Sequence, residues 1–540
     1  MTKRVNVSTK YDAVAFINPE KCVNCGMCRD YCPTGAISEK QKAICHLCPD
    51  CTSKPAITAG DILEMQNSAC TSECPLGLSP QGFINLLKNG KAEQAFSIIR
   101  NKNPLPATTG FICNHLCQDA CKRGKLVDKP MEIRAIQRYL ATEYLESPVT
   151  PFPVTNEERI AVIGAGPAGL SAANTLASLG YKVTVFEQSG EAGGMLIRGI
   201  PDFRIDKNIV RKEIKRLEDA GIEIVLNAKI SNDYSNLLKD YDKVVVAAGK
   251  QVSRRLEVKG ANKENIFTAM HLMEKVNAGQ EFVPGKTVAV IGGGNVAMDC
   301  ARSVLRLGAE KVVVIYRRGK EDMPASEYEI SEAEAEGIEF IYQANPVEVL
   351  GDCTVSAIRC EKTAMGAPDE TGRRSLSGTG ETFDFECDTI INALGQVSDV
   401  EWPQNENVVF AGDIAGGKSS VVDAMASGRN AAIAVDCELR EREYCDYSVD
   451  HEISAGDLRY KIYPAVRRKI NVPALDKLDA KAAVKSFDVC EKTATQDFVS
   501  LEVLRCLECG YEAVDTEKCI GCGVCRKVCP MGNVITMVKP

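Results

Sequence analysis

Ile160-Ala161-Val162-Ile163-Gly164-Ala165-Gly166-Pro167-Ala168-Gly169-Leu170 is the stretch whose reading decides the fold. Four apolar residues predict a short buried strand, the GxGxxG spacing predicts a tight turn, and Leu170 to Leu179 continues as a helix. The first glycine permits the turn, the second lets backbone approach a pyrophosphate, and the third lets the helix lie close to the strand. The helix N-terminus then faces the phosphates. The next strand, Lys182 to Phe186, ends at Glu187, 23 residues after Gly164, where a carboxylate accepts ribose hydroxyls. Gly164, Gly166, Pro167, Ala168, Gly169 and Glu187 are therefore candidate dinucleotide contacts.

The same unit recurs downstream as strand Thr287 to Ile291, loop Gly292-Gly293-Gly294-Asn295-Val296, helix Val296 to Leu307 and strand Lys311 to Ile315. That last strand runs into Tyr316-Arg317-Arg318, so two guanidiniums stand where a carboxylate would favour NAD(H). Their planar donors match a 2'-phosphate and neutralise it, which points to NADP(H). Gly292, Gly293, Gly294, Asn295, Val296, Arg317 and Arg318 are the candidate contacts of this second site. Apolar strands at Val244 to Gly249, Thr389 to Gly395 and Val408 to Asp413 suggest that the chain leaves the first nucleotide unit, forms the second, and returns. The expected fold class is thus α/β, with two Rossmann-like domains, the second inserted in the first.

Ser147-Pro148-Val149-Thr150-Pro151-Phe152-Pro153 cannot continue a helix and marks a linker before this core. Upstream, residues 56–145 carry apolar stripes at helical spacing, including Met131, Ala135, Ile136, Tyr139 and Leu140. The expected domains are a ferredoxin-like segment 1–55, a helical iron–sulfur domain 56–145, a first nucleotide domain 158–285 that resumes at 396–440, a second at 286–395, a connecting segment 441–500 and a C-terminal ferredoxin-like segment 501–540. At 540 residues the chain exceeds a single core. A net charge of -8 argues against a nucleic-acid partner held by a positive surface. No run of 18 apolar residues occurs, and Met1 to Phe16 lacks signal-peptide character, so the expectation is a cytoplasmic protein with no membrane insertion.

Cysteine is the compositional anomaly: 25 in all, twelve of them between Cys22 and Cys121 and six between Cys506 and Cys529. In a reducing compartment such spacing points to metal ligation over disulfides. Cys22-x2-Cys25-x2-Cys28-x3-Cys32-Pro33 is a specific [4Fe-4S] pattern, and Cys519-x2-Cys522-x2-Cys525-x3-Cys529-Pro530 repeats it. In such runs three thiolates serve one cubane and the fourth cysteine often serves a neighbouring cluster. The intermediate groups are Cys45, Cys48 and Cys51, then Cys70 and Cys74, then Cys113, Cys117 and Cys121. At the C-terminus, Cys506 or Cys509 stands as a fourth ligand to Cys519, Cys522 and Cys525, the pair combining with Cys490 and Cys529 being the other arrangement.

Cys74-Pro75-Leu76, Asn103-Pro104-Leu105-Pro106, the Cys113/Cys117/Cys121 turn and Ile133 to Tyr139 carry a resemblance to a family. From Cys70 to about Cys509 the chain resembles the small subunit of bacterial glutamate synthase, the large subunit of NADH-dependent ferredoxin:NADP oxidoreductase and the N-terminal half of dihydropyrimidine dehydrogenase. The resemblance implies FAD at the first loop, with Gly194, Met195, Leu196, Arg204, Gly412 and Asp413 as further contacts. It also implies two clusters in the helical domain. One takes Cys74, Cys113, Cys117 and Gln137; the other takes Cys70, Cys121 and an upstream Cys-x2-Cys pair, for which Cys45, Cys48 and Cys51 compete. About four [4Fe-4S] clusters are expected in total.

The expected function is hydride exchange between NADP(H) and FAD, with single electrons carried by the clusters to or from a partner subunit or ferredoxin, by electron bifurcation in one version. A glutamate-synthase-type small subunit and a non-enzymatic cluster scaffold are the alternatives. A disulfide reductase is disfavoured, because between Glu187 and Asp413 only Cys300, Cys353, Cys360 and Cys387 occur, and they form no Cys-x2-Cys pair. Hydride transfer itself needs no side-chain acid, so no catalytic side chain is expected.

Overall fold

The computed structural model describes residues 14–18, 21–30, 32, 36–41, 43–44, 68–368, 374–398, 400–417, 419–441, 461–462, 469–514, 524–531 and 534–538. Two five-stranded parallel sheets form its centre. The first runs in the order Val408–Phe410, Lys243–Val246, Arg159–Ile163, Lys182–Phe186, Glu223–Val225. Its central strands are buried on both faces, which is why they read as unbroken apolar runs. Helices Pro167–Ser178 and Val421–Leu439 pack together against it. The second sheet runs Glu339–Ile341, Lys311–Ile315, Thr287–Ile291, Thr389–Asn392, Ile266–Thr268.

The second unit is inserted in the first, as the return of the chain at Val408 implies. Its boundary differs from the expected residue 286, because Ile266–Thr268 already belongs to the second sheet. The crossing between units is a pair of two-residue antiparallel strands, Val252–Ser253 and Gln396–Val397. A three-residue strand with no glycine turn after it has too short a pattern to be recognised. The second unit also carries an antiparallel sheet, Ala344–Leu350, Ala357–Pro368 and Arg374–Glu386, which the sequence pattern does not announce because much of it faces solvent.

The helical domain is built from Pro80–Lys88, Ala92–Arg100, Pro106–Ile112 and Ile133–Glu143 around Phe83, Ile84, Leu86, Ile99, Ile136 and Leu140. Pro80 and Pro106 occupy first turns, where their missing N–H costs nothing. Ser79 closes the first of these helices by accepting from Gly82 N at 3.2 Å. Leu105, at the start of Pro106–Ile112, has no side chain able to do so. That role passes to Glu213 on helix Lys207–Asp219 of the first nucleotide unit, which accepts from Ala107 N at 2.6 Å and Thr108 N at 2.8 Å. A carboxylate of one domain thus finishes a helix of another.

The ferredoxin-like segments at 1–55 and 501–540 are not independent bodies. Val14–Ile17 pairs antiparallel with Ile535–Val538, and Ile37–Gln41 pairs antiparallel with Gly510–Val514. Each cysteine run is flanked by two strands, and each strand finds its partner in the other run. One small core, with Ala15, Ile17, Ala36, Ile37, Val534 and Ile535, serves both. The expected connecting segment also belongs to a core: Val472, Ala494, Phe498 and Val499 are buried with the residues of the helical domain. No described helix is long and apolar enough to cross a membrane.

Candidate functional site

A cleft of about 630 Å³ opens between the two nucleotide units, within the range of small-molecule and cofactor sites. Gly164, Gly166, Pro167, Ala168, Glu187, Gly194, Met195, Arg204, Gly412 and Asp413 line it from the first unit, and Asn295 and Val296 from the second. Gly164 holds φ +102°, and a Cβ there would lie 2.6 Å from Ala247 O; a Cβ on Gly169 would lie 1.8 Å from Gly164 O. A Cβ on Gly166 would meet nothing within 4 Å, so this glycine keeps the floor of the cleft low. Helix Pro167–Ser178 starts there without a side-chain cap, whereas Asp206, Thr268, Ser326 and Ser420 close the N-termini of other helices. Its first amides are left for a ligand, and a bare glycine cradle under an uncapped helix fits the pyrophosphate of FAD.

Glu187 is buried at the cleft wall, accepting from Ala165 N at 2.9 Å and Ser189 N at 2.8 Å. These bonds fix both carboxylate oxygens and leave lone pairs for a ribose. Burial pushes the Asp413 carboxyl up, against the pull of Lys250 and a hydrogen bond from Ser419. Leu196 departs from expectation: its side chain is fully buried in the first core and does not line the cleft. Arg204 lines the cleft, but its guanidinium is engaged with Asp299 at 3.1 Å and Glu329 at 2.6 Å on the second unit. It lines the cleft and also bridges the two units.

That bridge is one end of a buried charge network which sequence reasoning missed. Arg302 meets Glu329 at 3.2 Å and Glu336 at 2.7 Å, Arg306 meets Glu336 at 2.6 Å, and both arginines stack on Phe203. Burial pushes Asp299 up to about 6, against the attraction of Arg204. The signal available was Asp299, Arg302 and Arg306, charges spaced to share one face of an otherwise apolar helix. Cys490 sits at the end of this network, 3.4 Å from Arg306, and not beside the terminal cysteines, so it does not join a C-terminal cluster with Cys529.

At the second loop, a Cβ on Gly292 would lie 2.5 Å from Ala393 O, one on Gly293 2.5 Å from the Tyr316 ring, and one on Gly294 in open space. Helix Asn295–Arg306 again starts uncapped. Asn295 Oδ1 accepts from Ser326 N at 3.0 Å. Arg317 is exposed, and no ion pair engages it among the described residues; Arg318 donates to Arg374 O at 2.9 Å. Glu321 and Asp322, the first carboxylates after Arg317 in sequence, are both taken by Arg374. This unpaired cation beside an uncapped helix fits a 2'-phosphate.

The cysteines fall into three groups. Cys74, Cys113 and Cys117 form the first: burial raises each thiol and brings Cys113 up to about 11, Cys74 adding to the rise at Cys113, and Cys113 and Cys74 to that at Cys117. Gln137 is buried, not a surface residue, and its amide nitrogen donates to Pro106 O at 3.0 Å and Thr109 Oγ1 at 2.8 Å. Its oxygen is thereby the atom left to ligate. Ile112 and Asn114, the residues on either side of Cys113, line the cleft. The second group brings Cys70 and Cys121 near Cys506 and Cys509. In the third, Cys22, Cys25, Cys28 and Cys529 line one small apolar cavity in the ferredoxin body, with Cys32 and Cys525 in the same core. Cys529, the last cysteine of the C-terminal run, therefore faces the N-terminal trio. Among the described residues no three of His, Cys, Asp and Glu close on a single metal ion. Cys45, Cys48, Cys51, Cys519 and Cys522 lie outside the described residues.

Comparison with known proteins agrees with this geometry. Residues 158–427 match the pyridine nucleotide-disulphide oxidoreductase family, 40–149 match dihydropyrimidine dehydrogenase domain II, 4Fe-4S cluster, and 15–38 and 512–534 each match the 4Fe-4S binding domain. The small chain of glutamate synthase [NADPH] from Azospirillum brasilense is 32% identical over 71% of this chain and 89% of its own length. The chain belongs to this family. FAD, NADP(H) and [4Fe-4S] clusters are its cofactors. The NADP(+)-dependent formate dehydrogenase subunit beta of Moorella thermoacetica is 34% identical over 72% of this chain and 61% of its own length. The NADPH-Fe(3+) oxidoreductase subunit beta of Geobacter sulfurreducens is 34% identical over 64% of this chain and 53% of its own length. The chain thus spans only about half to three-fifths of these two relatives. Despite the family's name, no cysteine among the described residues lines the cleft.

Proposed function

We propose that this chain is an electron-transfer subunit that exchanges hydride between NADP(H) and FAD and passes single electrons through [4Fe-4S] clusters to or from a partner. Bound FAD supplies the conversion between a two-electron hydride and single electrons. The observation that carries this reading is the position of Cys113: its two neighbours, Ile112 and Asn114, line the nucleotide cleft, so one thiol group abuts the place where hydride is exchanged. The chain's own contribution is alignment. Glu187 and the Gly164–Gly169 turn hold one nucleotide, Asn295 and Arg317 orient the other, and the Arg204–Asp299 bridge fixes the two units against each other.

The path away from the cleft is supported by adjacency. Cys117 is within electrostatic reach of Cys113, Cys74 and Cys70, so the two cysteine groups of the helical domain are neighbours. Helix Pro80–Lys88 then touches the N-terminal run: a Cβ on Gly82 would lie 2.5 Å from Cys25 Cα. Cys74, Cys113, Cys117 and Gln137 would hold the cluster nearest the cleft. In the ferredoxin body, Cys22, Cys25 and Cys28 would take Cys529 as fourth ligand, and Cys525 would share its cluster with Cys32, the exchange known for two-cluster ferredoxins. A scaffold without enzymatic function would have no use for a cleft between the first glycine turn and the start of the second unit's helix at Asn295 and Val296. The relatives carry names of subunits, which supports a partner redox subunit; ferredoxin is the other acceptor this surface would serve.

Anaerobic titration of the purified chain with NADPH tests the reading. More electrons should be taken up than FAD alone accepts, with cluster spectra changing together with flavin bleaching. Bleaching of FAD with every cluster left oxidised would overturn it.

A further inference from the structure

Cys45, Cys48 and Cys51 compete for the two upstream places of the helical domain's second cluster, and the fold brings another pair to that cluster. After helix Gln496–Glu502 the chain turns through Val503–Arg505 and delivers Cys506-Leu507-Glu508-Cys509 against the Cys121 turn. Arg505 is wholly buried and donates to Glu502 at 2.6 Å, to Asp128 at 2.9 Å and to the carbonyls of Lys129 and Pro130. Arg123, also wholly buried, returns from the other side, donating to Asp128 at 2.7 Å and to the carbonyl of Arg505 itself. Glu502 accepts from Glu132 N at 2.8 Å. Leu507 is buried between Leu126 and Val127. This is a docked segment, fixed on both sides of the two thiols.

The turn has the backbone of a cluster loop. Glu508 takes φ +54°, a left-handed conformation that a non-glycine residue adopts at a cost. The same feature lies between Cys22 and Cys25, at Asn24 with φ +57°, and between Cys113 and Cys117, at His115 with φ +44°. Cys506 and Cys509 are within electrostatic reach of each other and of both Cys70 and Cys121, and Cys70, Cys121 and Cys506 pack on one core. Four thiols from three distant stretches of chain therefore converge on one place.

We propose that Cys70, Cys121, Cys506 and Cys509 form the ligand set of a [4Fe-4S] cluster, the C-terminal pair standing in for an upstream pair. The inference rests on the reading that the helical domain holds clusters. It frees Cys506 and Cys509 from the C-terminal run, which then draws its fourth ligand from Cys32. Loading the site releases the thiol protons and leaves four thiolates on iron.

Three full-length variants, reconstituted anaerobically, test it: Cys506→Ser with Cys509→Ser, Cys70→Ser with Cys121→Ser, and Cys45→Ser with Cys48→Ser and Cys51→Ser. Iron per chain, the integrated EPR signal of the reduced protein and FAD content are measured for each, FAD content reporting that the core has folded. The first two variants should each lose about four irons and the same EPR component, with FAD retained, while the third keeps both. If the Cys70/Cys121 variant loses this component but the Cys506/Cys509 variant does not, the ligand assignment is wrong. If neither loses iron, the reading of the helical domain fails as well. Should substitution reduce FAD content, alkylation of the unmodified chain decides: Cys506 and Cys509 should become reactive on chelation together with Cys70 and Cys121, and reactivity that follows the ferredoxin cysteines instead would overturn the proposal.

Discussion

The two nucleotide units and the cluster-bearing bodies are built on opposite plans. Each nucleotide loop is bounded by a strand and a helix adjacent in sequence, and its contacts are largely backbone and small residues. The ferredoxin body and the Cys70 region bring together residues from the two ends of the chain. A dinucleotide site needs only one local turn and a helix end, which short-range sequence can specify. A cubane site needs four thiolates converging from outside, so it is placed where distant segments meet, and it then helps to hold them there.

The largest effect that would sharpen this contrast is removal of iron. Anaerobic chelation should open the terminal body and the Cys506–Cys509 segment to protease while the nucleotide core keeps FAD; simultaneous loss of both would erase the distinction. Next is Gly169→Val, which forces a side chain into the carbonyl of Gly164. We expect FAD content to fall at least tenfold, equivalent to about 1.4 kcal/mol or more, with EPR of the clusters preserved. Loss of the clusters too would show the plans to be coupled.

Glu213 lies at the seam between them. Burial pushes its carboxyl up to about 7, so its folded value exceeds the ordinary 4.5. Stability from its bound proton is full below about 4.5 and is lost as pH rises through about 7. The thermal midpoint should decline over that interval, and Glu213→Gln should flatten the decline. Glu213→Ala, leaving two helix amides unclosed, should cost about 1–3 kcal/mol. At the second loop, Arg317→Ala with Arg318→Ala should narrow the NADPH-over-NADH preference in kcat/KM by about tenfold, again about 1.4 kcal/mol. Unchanged preference would remove the 2'-phosphate assignment. The smallest effect is expected of Lys88→Ala: its 2.9 Å pair with Glu508 is partly exposed, so no more than about 1 kcal/mol should separate the variant from the parent in denaturant.

How much could be read in advance follows the same division. Strands Lys182–Phe186, Thr287–Ile291 and Lys311–Ile315 lie where the apolar runs and glycines put them, because each stretch contains its own signal. Cysteine spacing shows that Cys22, Cys25 and Cys28 act together, but nothing within either run says that Cys529 faces them. Likewise, Cys506 and Cys509 are visible as a pair, while their neighbours Cys70 and Cys121 are set by a docking surface of Arg505, Asp128 and Arg123 that has no local pattern. The Arg204–Asp299–Glu329 bridge was hidden for the same reason: the sequence around Arg204 shows nothing of the carboxylates that the second unit supplies to it.

The strand pairing at the termini has a consequence for biosynthesis. Ile17 pairs with Ile535, so strand Val14–Ile17 has no neighbour until the segment around Ile535 has been translated. At roughly 5–20 residues per second, that wait is about half a minute to two minutes. Throughout it, the nucleotide core between them is free to fold, while an unpartnered strand and a set of exposed thiols trail from the ribosome. Iron delivery and protection from oxidation of the N-terminal cysteines would therefore have to wait for that strand, and a chain arrested before it would hold half of a ferredoxin with nothing to close it.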